Sequence, residues 1–192
     1  PFERTEIHGE AKYLRTRNGN GAVELLAEDR ERHAILIERA LPGEALFQAF
    51  KEGPAACVQP AIDVLRSILQ PPPNDMADVD TLDQWFNNFR RYTETDFSAD
   101  YAAKAFAIYE WLSIQPGRTF YLYCVFHFFY VFTAMCFLFF AVDPKGIVGH
   151  LGYDIAVFLN NLHWWQKTDP DVHKLLETAV TQFACAFDLN EN

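Results

Sequence analysis

The side chains best suited to chemistry in this sequence are a few carboxylates. Asp143 stands in the run Asp143-Pro144-Lys145-Gly146, and Asp154 follows Tyr153 shortly afterwards. A carboxylate can bind a hard divalent cation such as Mg²⁺. Taken alone, however, an Asp before Pro is typical of a turn, and an Asp in a helical stretch is typical of a solvated surface. These residues therefore have to be interpreted from the segments around them.

The cysteines do not indicate a metal site. None of them forms a CxxC pair, and all have apolar neighbours in the sequence. A structural zinc site needs closely spaced ligands. The pattern favours buried free thiols in a reducing compartment, consistent with a cytoplasmic protein; the four are Cys57, Cys124, Cys136 and Cys185.

The charge balance narrows the range of partners. The formal net charge of -10 over 192 residues argues against a general nucleic-acid binder, which needs Lys and Arg to neutralise phosphates. An acidic cleft could attract a cationic ligand instead. The start at Pro1-Phe2-Glu3 has no basic stretch before an apolar one, so we expect no signal peptide and a beginning inside a longer protein.

Periodicity predicts a small strand pair followed by helices. The strands are predicted at Ala22–Ala27 and Ala34–Ile37, after a turn at Asn18–Gly21. One of the helical apolar stripes, expected to face the core, contains Tyr101, Ala105, Ile108 and Leu112. The helices are predicted over residues 3–17, 44–51, 61–69, 81–92, 99–112 and 171–187.

The segment from Thr119 to Val142 stands out because it contains no Asp, Glu, Lys or Arg. Its length would suffice to span a bilayer. It is also rich in Phe and Tyr and poor in Leu and Ile, which suits buried strands. The pattern alone leaves both interpretations open.

Three blocks of the chain, in order, resemble one family. Arg17–Leu26, Leu36–Ala40, and Ala141–Gly149 followed by Gly152–Ala156 are similar to segments of the aminoglycoside/hydroxyurea antibiotic resistance kinases, the streptomycin 6-kinase group of the aminoglycoside phosphotransferase superfamily. The resemblance implies a protein-kinase-like α+β fold. Residues 1–40 would belong to the N-terminal strand lobe, and residues 41–192 to the helical C-terminal lobe.

The resemblance also implies ATP and Mg²⁺ as cofactors. Phosphoryl transfer from ATP needs Mg²⁺ to bridge phosphate oxygens and carboxylates to hold the metal. Asp143 would be that metal ligand. Asp154 would support the catalytic loop by accepting hydrogen bonds from its backbone N–H groups.

Nucleotide-binding positions follow from the same resemblance. Glu10 would pair with the nucleotide-binding Lys of the family, with Glu6 as the alternative. The backbone of Glu38, Arg39 and Ala40 would form hydrogen bonds with adenine. Without that context, Glu6 and Glu10 are typical surface charges.

The catalytic loop departs from the family pattern. The family reads His-Gly-Asp-Leu-His, two variable residues and Asn, and the usual spacing from Asp143 places this loop on Tyr123–Tyr130. His127 matches the second His of the family pattern, and its expected role is structural support of the loop. The base position is Val125, which has no lone pair, and the metal-binding Asn position is Tyr130, a poor Mg²⁺ ligand at neutral pH. The family's phosphate loop and its Lys would precede Pro1, and its last helices would follow Asn192.

Three hypotheses about function remain open at this stage. The chain could be an ATP-dependent phosphotransferase that acts on a hydroxyl of a small molecule, such as a cationic aminoglycoside, and is inactive as written. It could be a non-catalytic remnant that binds a nucleotide or a partner. It could be a membrane protein spanning residues 119–142. The altered loop is compatible with an inactivated kinase, a local frameshift or a local error in the sequence, and we favour an altered or misassigned segment over a transmembrane helix.

Overall fold

The computed structural model describes residues 3–49, 53–89, 98–115, 117–124, 126, 131–133 and 139–189. Fifteen elements are found in this part of the chain. They are α1 (Glu3–Arg17), β1 (Leu25–Asp29), β2 (Ala34–Ile37), α2 (Leu46–Ala49), a 3₁₀ turn (Pro54–Cys57), α3 (Val58–Ile68), β3 (Asp80–Thr81), α4 (Leu82–Phe89), α5 (Ala99–Ser113), β4 (Thr119–Leu122), β5 (Val131–Thr133), β6 (Phe139–Ala141), β7 (Ile147–His150), α6 (Gly152–Gln166) and α7 (Val172–Ala186). The mixture of helices and sheets is compatible with the predicted α+β class.

The first helix and the strand pair confirm the predictions from periodicity. Helix α1 has the predicted bounds and leads into a turn in which Asn18 and Gly19 adopt positive φ. Strands β1 and β2 pair antiparallel. The first strand begins at Leu25 rather than Ala22, because the backbone around Ala22 pairs with Ala141 instead.

Two further sheets occupy the apolar segment and its neighbours. β7 lies between β4, to which it is antiparallel, and β3, to which it is parallel. β5 and β6 form an antiparallel pair. The described residues between Thr119 and Val142 thus belong to short strands and their connections. No helix among the described residues has both the length and the apolar character needed to cross a membrane.

One large core joins α1, α3, the strands and the last two helices. Tyr13 and Leu14 of α1 are completely buried. The aromatic side chains pack on one another, with Phe158 of α6 lying between Phe126 and Phe183. Other fully or nearly fully buried members are Leu46, Ile62, Leu65, Ile68, Tyr121 and Tyr123.

The prediction that the apolar stripe of α5 faces the core was wrong at Tyr101 and Ile108. Tyr101 and Ile108 are 71% and 60% exposed, whereas Ala102 and Tyr109 are buried. The reason is the stacking of the Tyr109 ring on Phe86 of α4, with ring centroids 3.9 Å apart. That contact turns the Tyr109 side of the helix inward and leaves Tyr101 and Ile108 outside, while Ala105 and Leu112 are half-buried.

The prediction of buried thiols holds in part. Cys57 and Cys124 are buried. Cys185 is exposed, because it lies on the outer side of α7 next to the buried Ala184 and Phe183. Cys136 is outside the described residues.

Candidate functional site

Asp143 lies in the turn between β6 and β7, with positive φ of 67° and a half-buried side chain. The strand before it is fixed to the turn that follows α1. The Val23 N–H donates to the Ala141 carbonyl at 3.1 Å, and the Ala141 N–H donates to the Gly21 carbonyl at 3.1 Å. The position of Asp143 therefore depends on the first 23 residues of the chain.

A close approach of two glycines joins the same turn to α1. Gly146 has φ of +62°, and a Cβ built there would lie 2.8 Å from the Gly9 carbonyl oxygen. A Cβ built on Gly9 would lie 3.0 Å from the Lys145 carbonyl oxygen. Gly146 needs glycine because of both its conformation and the lack of space, and at Gly9 a Cβ would fit only tightly against the turn. The backbone of α1 is thus packed directly on the backbone of the turn.

Four charged side chains meet where these two backbones touch. The Lys145 Nζ atom lies 3.2 Å from Asp143 Oδ1 and 3.7 Å from Glu6 Oε2. Burial and the nearby charge of Asp143 raise the pKa of Glu10 to about 7, while Lys145 acts in the opposite direction. We call Glu6, Glu10, Asp143 and Lys145 the acidic cluster. It contains three carboxylates and one ammonium group.

Asp154 is buried at the start of α6, where its carboxylate holds the first two residues of the altered loop. Oδ2 accepts a hydrogen bond from the Tyr123 N–H at 3.1 Å, and Oδ1 accepts one from the Cys124 N–H at 2.6 Å. Burial raises the pKa of Asp154 to about 7, and the two N–H donors oppose that increase. Cys124 has positive φ of 74°, so the chain turns sharply at this point.

Tyr123 joins this segment to the Asp143 turn. Its hydroxyl donates to the carbonyl of Val142, and its own carbonyl accepts from the Lys145 N–H at 2.9 Å. Tyr123 was not among the site residues predicted from the sequence. The available signal was its position, since it stands where the family loop has its first His. The two segments that would form the catalytic and metal-binding loops are therefore in direct contact.

The predicted adenine-binding residues follow β2. The Glu38 N–H donates to the Glu24 carbonyl at 2.9 Å, and the Glu38 carboxylate accepts from the Glu24 N–H at 2.8 Å. Arg39 is exposed and Ala40 is half-buried. The amide and side chain of Glu38 are thus engaged in closing the β1–β2 pair, and a ligand would have to use the carbonyl of Glu38 and the backbone of Ala40.

A cleft of about 250 Å³ opens beside the acidic cluster. Glu6 and Lys145 form one side of it, and Trp85 forms another. The Trp85 indole N–H donates to Asp80 at 3.5 Å. The remaining lining residues are Gly9, Met76, Asp78 and Val79.

The donor set fits a magnesium ion that a nucleotide brings with it. In phosphate-binding sites Mg²⁺ takes one or two protein carboxylates and completes its shell with phosphate oxygens and water. Asp143 offers one such carboxylate. Among the described residues, no three His, Cys, Asp or Glu side chains could hold a metal ion by themselves. Val125, His127 and Tyr130 lie outside the described residues.

The structure thus places Glu10 near Asp143 and binds Asp154 to the two residues before position 125. Residues 38–40 follow the end of β2.

Comparison with known proteins identifies the family of the chain. No curated protein matches the chain. The family model described as aminoglycoside/hydroxyurea antibiotic resistance kinase matches residues 3–192, and the chain belongs to that family.

Proposed function

We propose that this chain is an ATP-binding member of the kinase family whose phosphoryl transfer is strongly impaired. The family supports a kinase of the aminoglycoside/hydroxyurea resistance type. The proposal adds a protein-kinase-like arrangement in which β1 and β2 carry the adenine site and the Asp143 turn carries the metal site. The expected acceptor is a hydroxyl of a small, aminoglycoside-like molecule, whose positive charge would suit a chain of net charge -10.

The observation that carries the proposal is the set of hydrogen bonds around Tyr123. Asp154 holds the N–H groups of Tyr123 and Cys124, and Tyr123 in turn binds the carbonyl of Val142, next to Asp143. A segment that is held so firmly against the metal-binding turn is what phosphoryl transfer requires, because catalysis there is mostly positioning and charge stabilisation. This arrangement supports a nucleotide site that is intact around its metal ligand.

The nucleotide would then bind, and the step that fails would be activation of the acceptor hydroxyl. Mg²⁺, when bound with the nucleotide, would neutralise charge on the phosphates. Asp143 would hold that metal ion, and the backbone of residues 38–40 would bind adenine. Val125 has no atom that accepts the hydroxyl proton. Tyr130 stands where the family has its metal-binding Asn.

Binding is tested first by the thermal stability of the chain with and without Mg-ATP. A ligand that binds only the folded state raises Tm, so millimolar Mg-ATP should raise it in the wild-type chain. Asp143→Asn should lose the part of the increase that depends on Mg²⁺. Asp63→Asn is a matched control, because Asp63 lies exposed on α3. An unchanged Tm in the wild-type chain, or an equal increase in Asp143→Asn, would contradict the proposed site.

Transfer is tested separately with an aminoglycoside acceptor and labelled ATP. The wild-type chain should transfer little phosphate, because groups that act together in a site lose nearly all activity when one is absent. The double variant Val125→Asp with Tyr130→Asn restores the family residues and should transfer more than the wild type. Ordinary kinase turnover by the wild-type chain would show that the proposed impairment is wrong.

A further inference from the structure

Lys145 occupies an unusual position among the charged groups of the site. Its ammonium group forms a hydrogen bond with Asp143 at 3.2 Å and lies 3.7 Å from Glu6, a longer ion pair. Glu10 lies one helical turn beyond Glu6 on the same side of α1 and interacts electrostatically with Lys145. One cation is therefore shared between the proposed metal ligand and two carboxylates of a helix.

The backbone of Lys145 is fixed while its side chain has room. The Lys145 N–H is bound to the Tyr123 carbonyl, and the following Gly146 is packed against Gly9. The side chain is 24% exposed and borders the cleft beside Trp85. A change in local charge can therefore move the ammonium group without moving the turn.

A divalent cation at Asp143 would change that local charge. It would neutralise the carboxylate that Lys145 now binds and would repel the ammonium group. Glu6 and Glu10 would remain as acidic partners, and the ammonium group already lies within ion-pair distance of Glu6. The lowest-energy place for the side chain would then be against α1.

We propose that Lys145 is a positioning residue whose ammonium group, shared between Asp143 and Glu6, shifts towards Glu6 and Glu10 of α1 when a magnesium nucleotide binds. The exchange links occupancy of the metal site to the position of α1. It rests on the proposed function, because it requires Mg²⁺ at Asp143. The sequence motif assigns no role to Lys145, since only Asp143, two residues earlier, is expected to bind the metal.

The test is a double-mutant cycle of Lys145→Met and Glu6→Gln, read as equilibrium constants for unfolding in urea. A cycle isolates the interaction between two side chains from their separate effects. It is measured in EDTA, in ATP with EDTA, and in Mg-ATP. In EDTA the coupling should be small, because Asp143 competes with Glu6 for the ammonium group, and in Mg-ATP it should rise to about threefold, as for a well-placed exposed ion pair.

Two comparisons make the result specific. The pair Lys12 and Asp75 has a shorter ion-pair distance of 3.0 Å and joins the same helix to a different loop. Its cycle, with Lys12→Met and Asp75→Asn, should be the same in all three solutions. Lys145→Arg keeps the charge and should restore the magnesium-dependent stability that Lys145→Met loses.

Each contrary result has a separate meaning. A Lys145–Glu6 coupling that does not change in Mg-ATP, in a chain whose Tm still rises with Mg-ATP, overturns the exchange and leaves the proposed function in place. A coupling that already rises in ATP with EDTA overturns it as well, because the ammonium group then follows phosphate rather than the metal. If Mg-ATP does not raise Tm at all, both the exchange and the proposed nucleotide site are wrong.

Discussion

Helices α1 and α5 have the same length of 15 residues and opposite relations to the core. α1 has a narrow apolar face between charged residues, yet Ala11, Tyr13 and Leu14 are completely buried. α5 has the broader apolar stripe, yet Tyr101 and Ile108 are mostly exposed. The apolar pattern of a helix shows which face could be buried, and the elements packed against the helix decide which face is.

The difference follows from what each helix contacts. α1 is enclosed by the Asp143 turn at Gly9, by the end of α3 where Tyr13 binds the Ile68 carbonyl, and by β1 and β2. α5 is held mainly by Tyr109, which stacks on Phe86 and donates to Asp83. The helix that borders the candidate site is therefore the one with most of its surface engaged.

The largest expected contrast is between core truncations on the two helices. Leu14→Ala should lower the free energy of unfolding by about 2–5 kcal/mol, because it removes a buried side chain and leaves a cavity. Ile108→Ala should change it by no more than about 0.5 kcal/mol, as usual for an exposed position. Urea denaturation measures both. Equal losses would mean that Ile108 is buried in the folded protein and that α1 and α5 do not differ in burial.

A second contrast concerns the contact between α1 and the Asp143 turn. Gly146→Ala should cost about 2–4 kcal/mol, because it adds the strain of a left-handed conformation to an overlap with the Gly9 carbonyl. Gly117 is a matched control with φ of +71° and no atom within 4 Å of a built Cβ. Gly117→Ala should therefore show the conformational strain alone, about 1–2 kcal/mol.

Firm contact between α1 and the turn requires a larger loss of stability for Gly146→Ala than for Gly117→Ala. If Gly146→Ala is no worse than Gly117→Ala, the backbones of α1 and the turn are not in firm contact. Asp143 would then be positioned by the β5–β6 pair rather than by α1.

A third contrast uses the tyrosine of each helix. Tyr13→Phe removes a hydrogen bond to the Ile68 carbonyl in the core and should cost about 1–2 kcal/mol. Tyr109→Phe removes a hydrogen bond to Asp83, an exposed residue that water can reach, and should cost about 0.5–1 kcal/mol. Thermal or urea unfolding distinguishes the two, and a larger loss for Tyr109→Phe would contradict the difference in burial.

Local signals account for the parts of the fold that could be predicted. The bounds of α1, the Asn–Gly turn after it and the β1–β2 pair depend on residues close together in the sequence. The β3–β7–β4 sheet does not, because strands of two to four residues carry too little pattern. Thr81 was predicted to begin a helix, and the pairing of Asp80 and Thr81 with β7 could not be predicted from the local sequence.

The candidate site divides in the same way. Resemblance singled out Glu10, Asp143 and Asp154, and the structure supplies the contacts that sequence could not. Lys145 became notable only when α1 brought Glu6 and Glu10 to the Asp143 turn. Tyr123 did so only when its hydroxyl met the Val142 carbonyl. Both contacts join residues that no local periodicity relates.

The smallest expected effect is a pH dependence that Glu10 adds to α1. Its pKa rises from 4.5 to about 7 on folding, so between those pH values the folded chain binds more protons than the unfolded chain. The free energy of unfolding must then fall as pH rises through this window. Asp154, whose pKa is raised to about 7 from 3.8, contributes in the same direction. The effect of Glu10 is limited because its side chain is only half-buried and water screens it.

Glu10→Gln separates this contribution from that of Asp154. The variant should lose less stability than the wild type between pH 5 and pH 7, and the remaining slope should belong to Asp154 and other acids. Urea unfolding at several pH values measures the two slopes. Identical slopes would mean that Glu10 is not held near Asp143. Helices α1 and α5 would then differ in packing but not in electrostatics.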